Sequence, residues 1–244
     1  MPPIGLWQEC HFGRMLLGLR SGQEEIAMSS DTFASLVPEA RAFLTKLESN
    51  NSRDWFQYNK AQYDTRLKNP ALALLDVISA DLGRMTAQPV TTKLFRPHRD
   101  VRFSKDKTPY HTHLHMLWTT PAGASAQGWY FGISPSYISI GAGVMGFDKT
   151  ALLNWRAAVD QDATFATLVS DLTDKGARLS EPELKRVPTP YAKDHPRGDL
   201  LRYKGLSVWF DKSPQDIKKG GLTETIMTAF SDLLPVQSAL RPLL

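Results

Sequence analysis

The chain predicts an α+β fold in a single domain, with N-terminal helices, a central and mostly antiparallel sheet, and a C-terminal helix. Three observations carry this expectation. Apolar residues recur at helical spacing from about residue 37 to 85 with no strand-like alternation between them, which excludes a βαβ repeat. From Thr91 to about Asp211 most segments instead alternate at the two-residue period of a strand. Near the end, Ile226, Phe230 and Leu233 return to helical spacing.

Each element has a local cause. Val37-Pro38-Glu39 opens the first helix, because proline is pre-set for a first turn and glutamate complements the helix dipole. Phe43, Leu44 and Leu47 form its stripe. Asn50-Asn51-Ser52 stops it and caps a second helix from about Arg53 to Leu67, with Trp55, Phe56, Tyr63 and Leu67 at helical spacing. Asn69-Pro70 breaks that helix, and a third buries Leu72, Leu75, Ile78, Leu82 and Met85.

Lys93 to Ser104 then alternates, with Phe95, Val101 and Phe103 on an apolar face and Arg96, His98, Asp100 and Arg102 on a polar one. Pro97 has no donor, so the strand lies at an edge or carries a bulge. Ser104 to Pro109 reads as a loop. His111 to Thr119 alternates again, with Leu114, Met116 and Trp118 opposite His111, His113 and His115. Trp129–Ile133 and Tyr137–Ile140 flank Ser134-Pro135-Ser136 as a hairpin, and Gly141-Ala142-Gly143 reads as a tight turn ending it. Asp148 caps a helix bearing Leu152, Trp155 and Val159, and a further helix stops at Gly176. Pro188 to Gly198 is a polar loop, Leu206–Phe210 a strand, and about Thr223–Leu233 the terminal helix.

Composition narrows the function classes. With 42% hydrophobic residues in 244, the chain can build a real core. Its one cysteine, Cys10, allows no internal disulfide, which fits a reducing, cytoplasmic setting. No apolar run approaches the roughly 20 residues of a membrane helix. A net charge of +4 favours anionic partners without the dense basic runs of a dedicated nucleic-acid binder. Residues 1–27 lack periodicity and are expected to be a poorly ordered extension before a single domain over 28–244, with Met28 as an alternative start.

Two polar clusters look chemical. Between Lys93 and Lys107 stand six cations and two carboxylates. Arg96, Arg99, Arg102, Lys105 and Lys107 are candidate anion ligands, since guanidinium offers paired donors to phosphate or carboxylate. Tyr110 and His113 follow as candidate acid–base groups. The second cluster, Pro188 to Arg197, adds His195 as a candidate catalytic group and Lys193 and Arg197 as ligand candidates, with Asp194 expected to cap a helix starting at Pro196. His111, His113 and His115 share one strand face, but no second metal motif accompanies them, and no metal is assigned. No pattern names a cofactor.

Three segments together resemble a bacterial and fungal family defined as a conserved domain of unknown function, with the signature RDxRFSKDKTPYKTH. They are Asn50 to Phe56 with Asn59, Lys60 and Tyr63; Phe95-Arg96 with Arg99 to Tyr110; and Lys185 to Pro188 with Lys193 to Arg197. The resemblance spans roughly residues 31–240 and implies helices before a mixed β region, with these three polar segments as hallmark positions. His111 stands where the family signature has lysine. The leading expectation is a basic site for an anionic small molecule or phosphoester, serving an enzyme with His/Tyr acid–base chemistry or a ligand-binding domain. A nucleic-acid-binding module and a structural or partner-binding protein are the other two classes.

Overall fold

The computed structural model describes residues 32–122 and 125–244. The expected extension over 1–27, with Cys10 and Met28, lies outside the described residues.

The N-terminal helices form as their punctuation dictates. α1 (Leu36–Ser49) buries Phe43, Leu44 and Leu47, and the Ser52 hydroxyl accepts the Trp55 amide at 3.3 Å to cap α2 (Arg53–Tyr58). The single second helix expected to Leu67 is divided into α2, α3 (Lys60–Tyr63) and a π-helical turn, Asp64–Lys68. That turn leads without a gap into α4 (Asn69–Thr86), so Asn69-Pro70 does not break the helix as expected: Pro70 falls in the first turn of α4, and the wider π turn before it carries the chain through. The buried stripe of α4 runs through Ala71, Leu74, Leu75, Ile78 and Leu82. Leu72, expected inside, is 42% exposed, because the small Ala71 takes the inward place beside it.

Six strands follow: β1 (Thr91–Leu94), β2 (Leu114–Ala122), β3 (Ser125–Ile133), β4 (Ile138–Val144), β5 (Arg178–Leu179) and β6 (Leu206–Asp211). They form one antiparallel sheet in the order β1-β2-β3-β4-β6-β5. Between β4 and β5 lie α5 (Lys149–Gln161), capped by Asp148, and α6 (Thr164–Asp174). α7 (Gly198–Leu201) precedes β6. After β6 come α8 (Pro214–Gly220), opened by a reciprocal Ser213/Asp216 capping box, and α9 (Leu222–Leu240). α9 runs well past the expected end near Leu233 and carries Pro235 inside it.

Helices cover one face of the sheet. Met116, Trp118, Phe131, Ile140 and Val208 on that face are at most 1% exposed. α9 and α4 pack on it, and the Phe230 ring meets Trp129 at 5.1 Å and Trp118 at 5.8 Å. The Trp118 indole N–H donates to Leu75 O at 2.9 Å, so this large ring is buried without leaving a donor unpaired.

The alternation from Lys93 to Ser104 does not become one strand. β1 ends at Leu94, and residues 95–113 form an irregular hairpin. Its arms are joined by His111 N to Pro97 O (2.7 Å), Arg99 N to Pro109 O (2.9 Å) and a bridge between His98 and Tyr110. Phe103, expected in the core with Phe95 and Val101, sits at the hairpin's far end and is 94% exposed. Beyond Pro97 the chain leaves the plane of the sheet, so the two-residue period no longer points at a core there.

Candidate functional site

The register of the sheet sets two parallel rows across its other face. In the first, His115 pairs with Gly132, Gly132 with Ser139, and Ser139 with Asp211. In the second, Leu117 pairs with Tyr130, Tyr130 with Gly141, Gly141 with Trp209, and Trp209 with Arg178. One row is polar and titratable. The row beside it is aromatic and ends in a guanidinium.

The glycines make room for the rings. A β-carbon at Gly132 would meet the His115 ring at 2.9 Å, and one at Gly141 would overlap the Trp209 indole. A β-carbon at Gly128 would overlap the Tyr130 phenol. Glycine inside a strand marks a close approach by another group, and here that group is a ring lying flat on the sheet. The expected tight turn at Gly141-Ala142-Gly143 is therefore corrected: these residues continue β4, and their missing side chains form the floor of a site.

A cavity of about 530 Å³ lies over this floor. Its walls include Phe95, Tyr137 and Met145, with Tyr130 and Trp209 across the base. Size and an apolar wall with few polar groups match small-molecule sites. At one end Arg178 Nε donates to Asp211 Oδ2 at 2.6 Å, and the Ser139 hydroxyl donates to the same carboxylate. These bonds, the Arg178 contact foremost, hold the Asp211 carboxyl below its ordinary range. The Trp209 indole N–H donates to Ser180 Oγ at 3.0 Å, which fixes its ring.

The histidine row enters the cavity from the other end. His113 and His115 stack at 3.7 Å and 13°, and His111 follows at 4.7 Å. The imidazoles lie face to face, so their nitrogens do not converge on one point. His115 Nε2 and the Tyr137 hydroxyl share a hydrogen bond of 2.6 Å. Burial pushes His115 down to about 4, helped by His113 and His111, and pushes Tyr137 up. Near neutral pH the pair is thus an uncharged imidazole on a protonated phenol. His113 is likewise lowered to about 4, by burial and then by His111. His111 is lowered by burial and by the nearby Arg99 and Arg96 charges, so the basic hairpin and the cavity are joined through this row.

The sequence-predicted groups are dispersed. Arg99 Nη1 donates to Asp106 Oδ2 at 2.5 Å and to Thr108 O at 3.0 Å, which spends it on closing the hairpin. Arg102 binds Asp100 through Nε (2.9 Å) and Nη2 (2.7 Å), and Lys107 donates to Val101 O at 3.0 Å. Arg96 and Lys105 are exposed. Tyr110 is 3% exposed, with its ring stacked on Phe56 at 4.1 Å. The Asn51 side chain donates to Tyr110 O (2.9 Å) and accepts from Tyr110 N (3.1 Å), pairing with the hairpin as a neighbouring strand would. The first two polar segments therefore meet, and the first buttresses the second.

The loop around His195 sits elsewhere. His195 Nδ1 accepts from Arg197 N at 3.0 Å, so Nε2 carries the proton donated to Asp160 Oδ1 at 3.1 Å. Arg197 donates to Val159 O and Asp160 O, which docks the loop on α5. Lys193 is exposed. Asp194 does not cap a helix at Pro196, because α7 begins only at Gly198 and its first turn has no side-chain cap.

Sequence reasoning missed Tyr130, Tyr137, Ser139, Arg178, Trp209 and Asp211. The available signal was glycine at every second place, Gly141 and Gly143, within an otherwise apolar strand.

A family model described as conserved hypothetical protein (DUF2461) matches residues 39–238. The chain belongs to this family. The DUF2461 match takes in the hairpin, the open sheet face and the loop around His195 together. No curated protein and no solved structure matches the chain.

Proposed function

We propose that the protein binds a small ligand made of a flat ring and an anionic group in the cavity over the open sheet face. The observation that carries this reading is the pairing of an aromatic row, Tyr130 and Trp209, with a polar row, His115, Ser139 and Asp211, on a floor of glycines. A ring stacks on the first row while its edge hydrogen-bonds to the second. Lys93 Nζ lies 4.7 Å over the ring of Phe95, a wall residue, and supplies the cation for the anionic group at the rim. Arg178 is less suited to that task, because Asp211 already matches its charge.

The His115–Tyr137 pair is the acid–base part of the proposal. The neutral imidazole would accept a proton and the phenol would give one within hydrogen-bond reach of a ligand edge. The test is a titration followed by Trp fluorescence and thermal shift, with nucleoside monophosphates, sugar phosphates and aromatic carboxylates beside their uncharged counterparts. Trp209→Ala is expected to lose binding of charged and uncharged forms alike, and Lys93→Ala only the preference for the charged form. Binding that survives Trp209→Ala and Tyr130→Ala unchanged would place the ligand elsewhere and end this reading.

A further inference from the structure

The hairpin over residues 95–113 carries a feature that the cavity does not use. Phe103 is 94% exposed at its end, between Arg102 and Lys105. A large exposed ring on a floppy loop would mean little, but this hairpin is braced. Arg99 ties to Asp106 across it, Asp106 Oδ1 accepts Thr108 N at 2.9 Å, Lys107 holds Val101 O, and Asn51 clamps Tyr110 at its base. The bracing also uses both carboxylates of the stretch, since Asp100 is held by Arg102. Among the described residues Arg96 and Lys105 form no ion pair. The result is a held aromatic ring amid excess positive charge, five cations to two carboxylates in the hairpin.

We propose that the end of this hairpin docks single-stranded nucleic acid, with the Phe103 ring stacked on a base and Arg96 and Lys105 against neighbouring phosphates. Base stacking on aromatic rings beside a basic track is how strands are held without sequence readout. A paired duplex hides its base faces, so the ring selects single strands. A membrane surface fits less well. Val101 is half-buried, which leaves one exposed apolar side chain on the hairpin, and stable membrane attachment takes more apolar area than one ring.

The measurement is fluorescence anisotropy of a labelled thymidylate oligomer with the full chain at rising potassium chloride. Affinity is expected to fall steeply with salt, as phosphate contacts require. Phe103→Ala is expected to weaken binding roughly tenfold or more with an unchanged salt slope. Lys105→Ala is expected to lower the slope by about 0.7. Phe103→Trp keeps a stacking ring and is expected to keep affinity, which separates stacking from misfolding. Absent binding, binding indifferent to salt, or equal affinity of Phe103→Ala and the parent would overturn the proposal. So would preferential adsorption to phosphatidylserine vesicles, or a loss confined to Trp209→Ala. The proposal does not rest on the cavity, and a failure of the nucleotide titrations leaves this experiment intact.

Discussion

The two faces of the sheet share the same strands and the same register, yet they are filled by opposite rules. On the helix-covered face, β-branched and aromatic side chains interdigitate with α4 and α9, and every large ring is buried. On the open face, side chains are absent at Gly128, Gly132 and Gly141, and Tyr130, His115 and Trp209 lie down over the gaps. One face fills space from both sides. The other keeps space free on purpose, at the cost of strand stability that glycine entails.

This contrast can be broken at several points. The largest effect is expected on the covered face. Phe230→Ala removes a ring packed between Trp118 and Trp129, and a denaturant melt should show a loss of about 3–5 kcal/mol with ligand affinity little changed in the surviving fold. Gly141→Ala pushes a methyl group into the Trp209 ring; overpacking of this kind costs about 1–3 kcal/mol, and it should also abolish ligand binding in a titration.

Between about pH 6.5 and 4, acid should act through the histidine row of the open face. His113 and His115 sit near 4 when folded and near 6.5 when unfolded, so between these values the unfolded chain binds more protons. Their contribution is fully present above 6.5 and is lost as pH falls toward 4. The stacked row titrates as a set and is partly screened, which puts the loss at about 2 kcal/mol, readable from melts across that window. His113→Phe with His115→Phe should flatten the pH dependence. The smallest stability effect is expected from Trp209→Ala, about 1 kcal/mol because the ring is only half-buried, while ligand affinity collapses.

The helices were legible because their signals are local. Ser52 and Asp148 sit where capping chemistry places them, and the stripes on α1 and α9 follow from a single period. The sheet-borne site was less legible, because its residues come from five strands and meet only through register. Tyr130, Ser139, Arg178 and Trp209 share no spacing along the chain. The dense clusters drew attention for a reason that misled in part. Charges at Arg99, Arg102 and Arg197 are crowded because they brace loops, by ion pairs in the hairpin and by donation to carbonyls on α5. Polar density alone does not distinguish a brace from a site. Exposure without a bonded partner does, and among the described residues of the hairpin it sets Arg96 and Lys105 beside the exposed ring of Phe103.

The flat rings over glycine have one more consequence. Each sits within van der Waals reach of a backbone methylene, so its circulating electrons shield the protons beneath it. The α-protons of Gly132 and Gly141 should therefore resonate well upfield of ordinary strand glycines. Any molecule that tilts or replaces a ring would move those two signals, so the floor of the cavity is its own spectroscopic reporter.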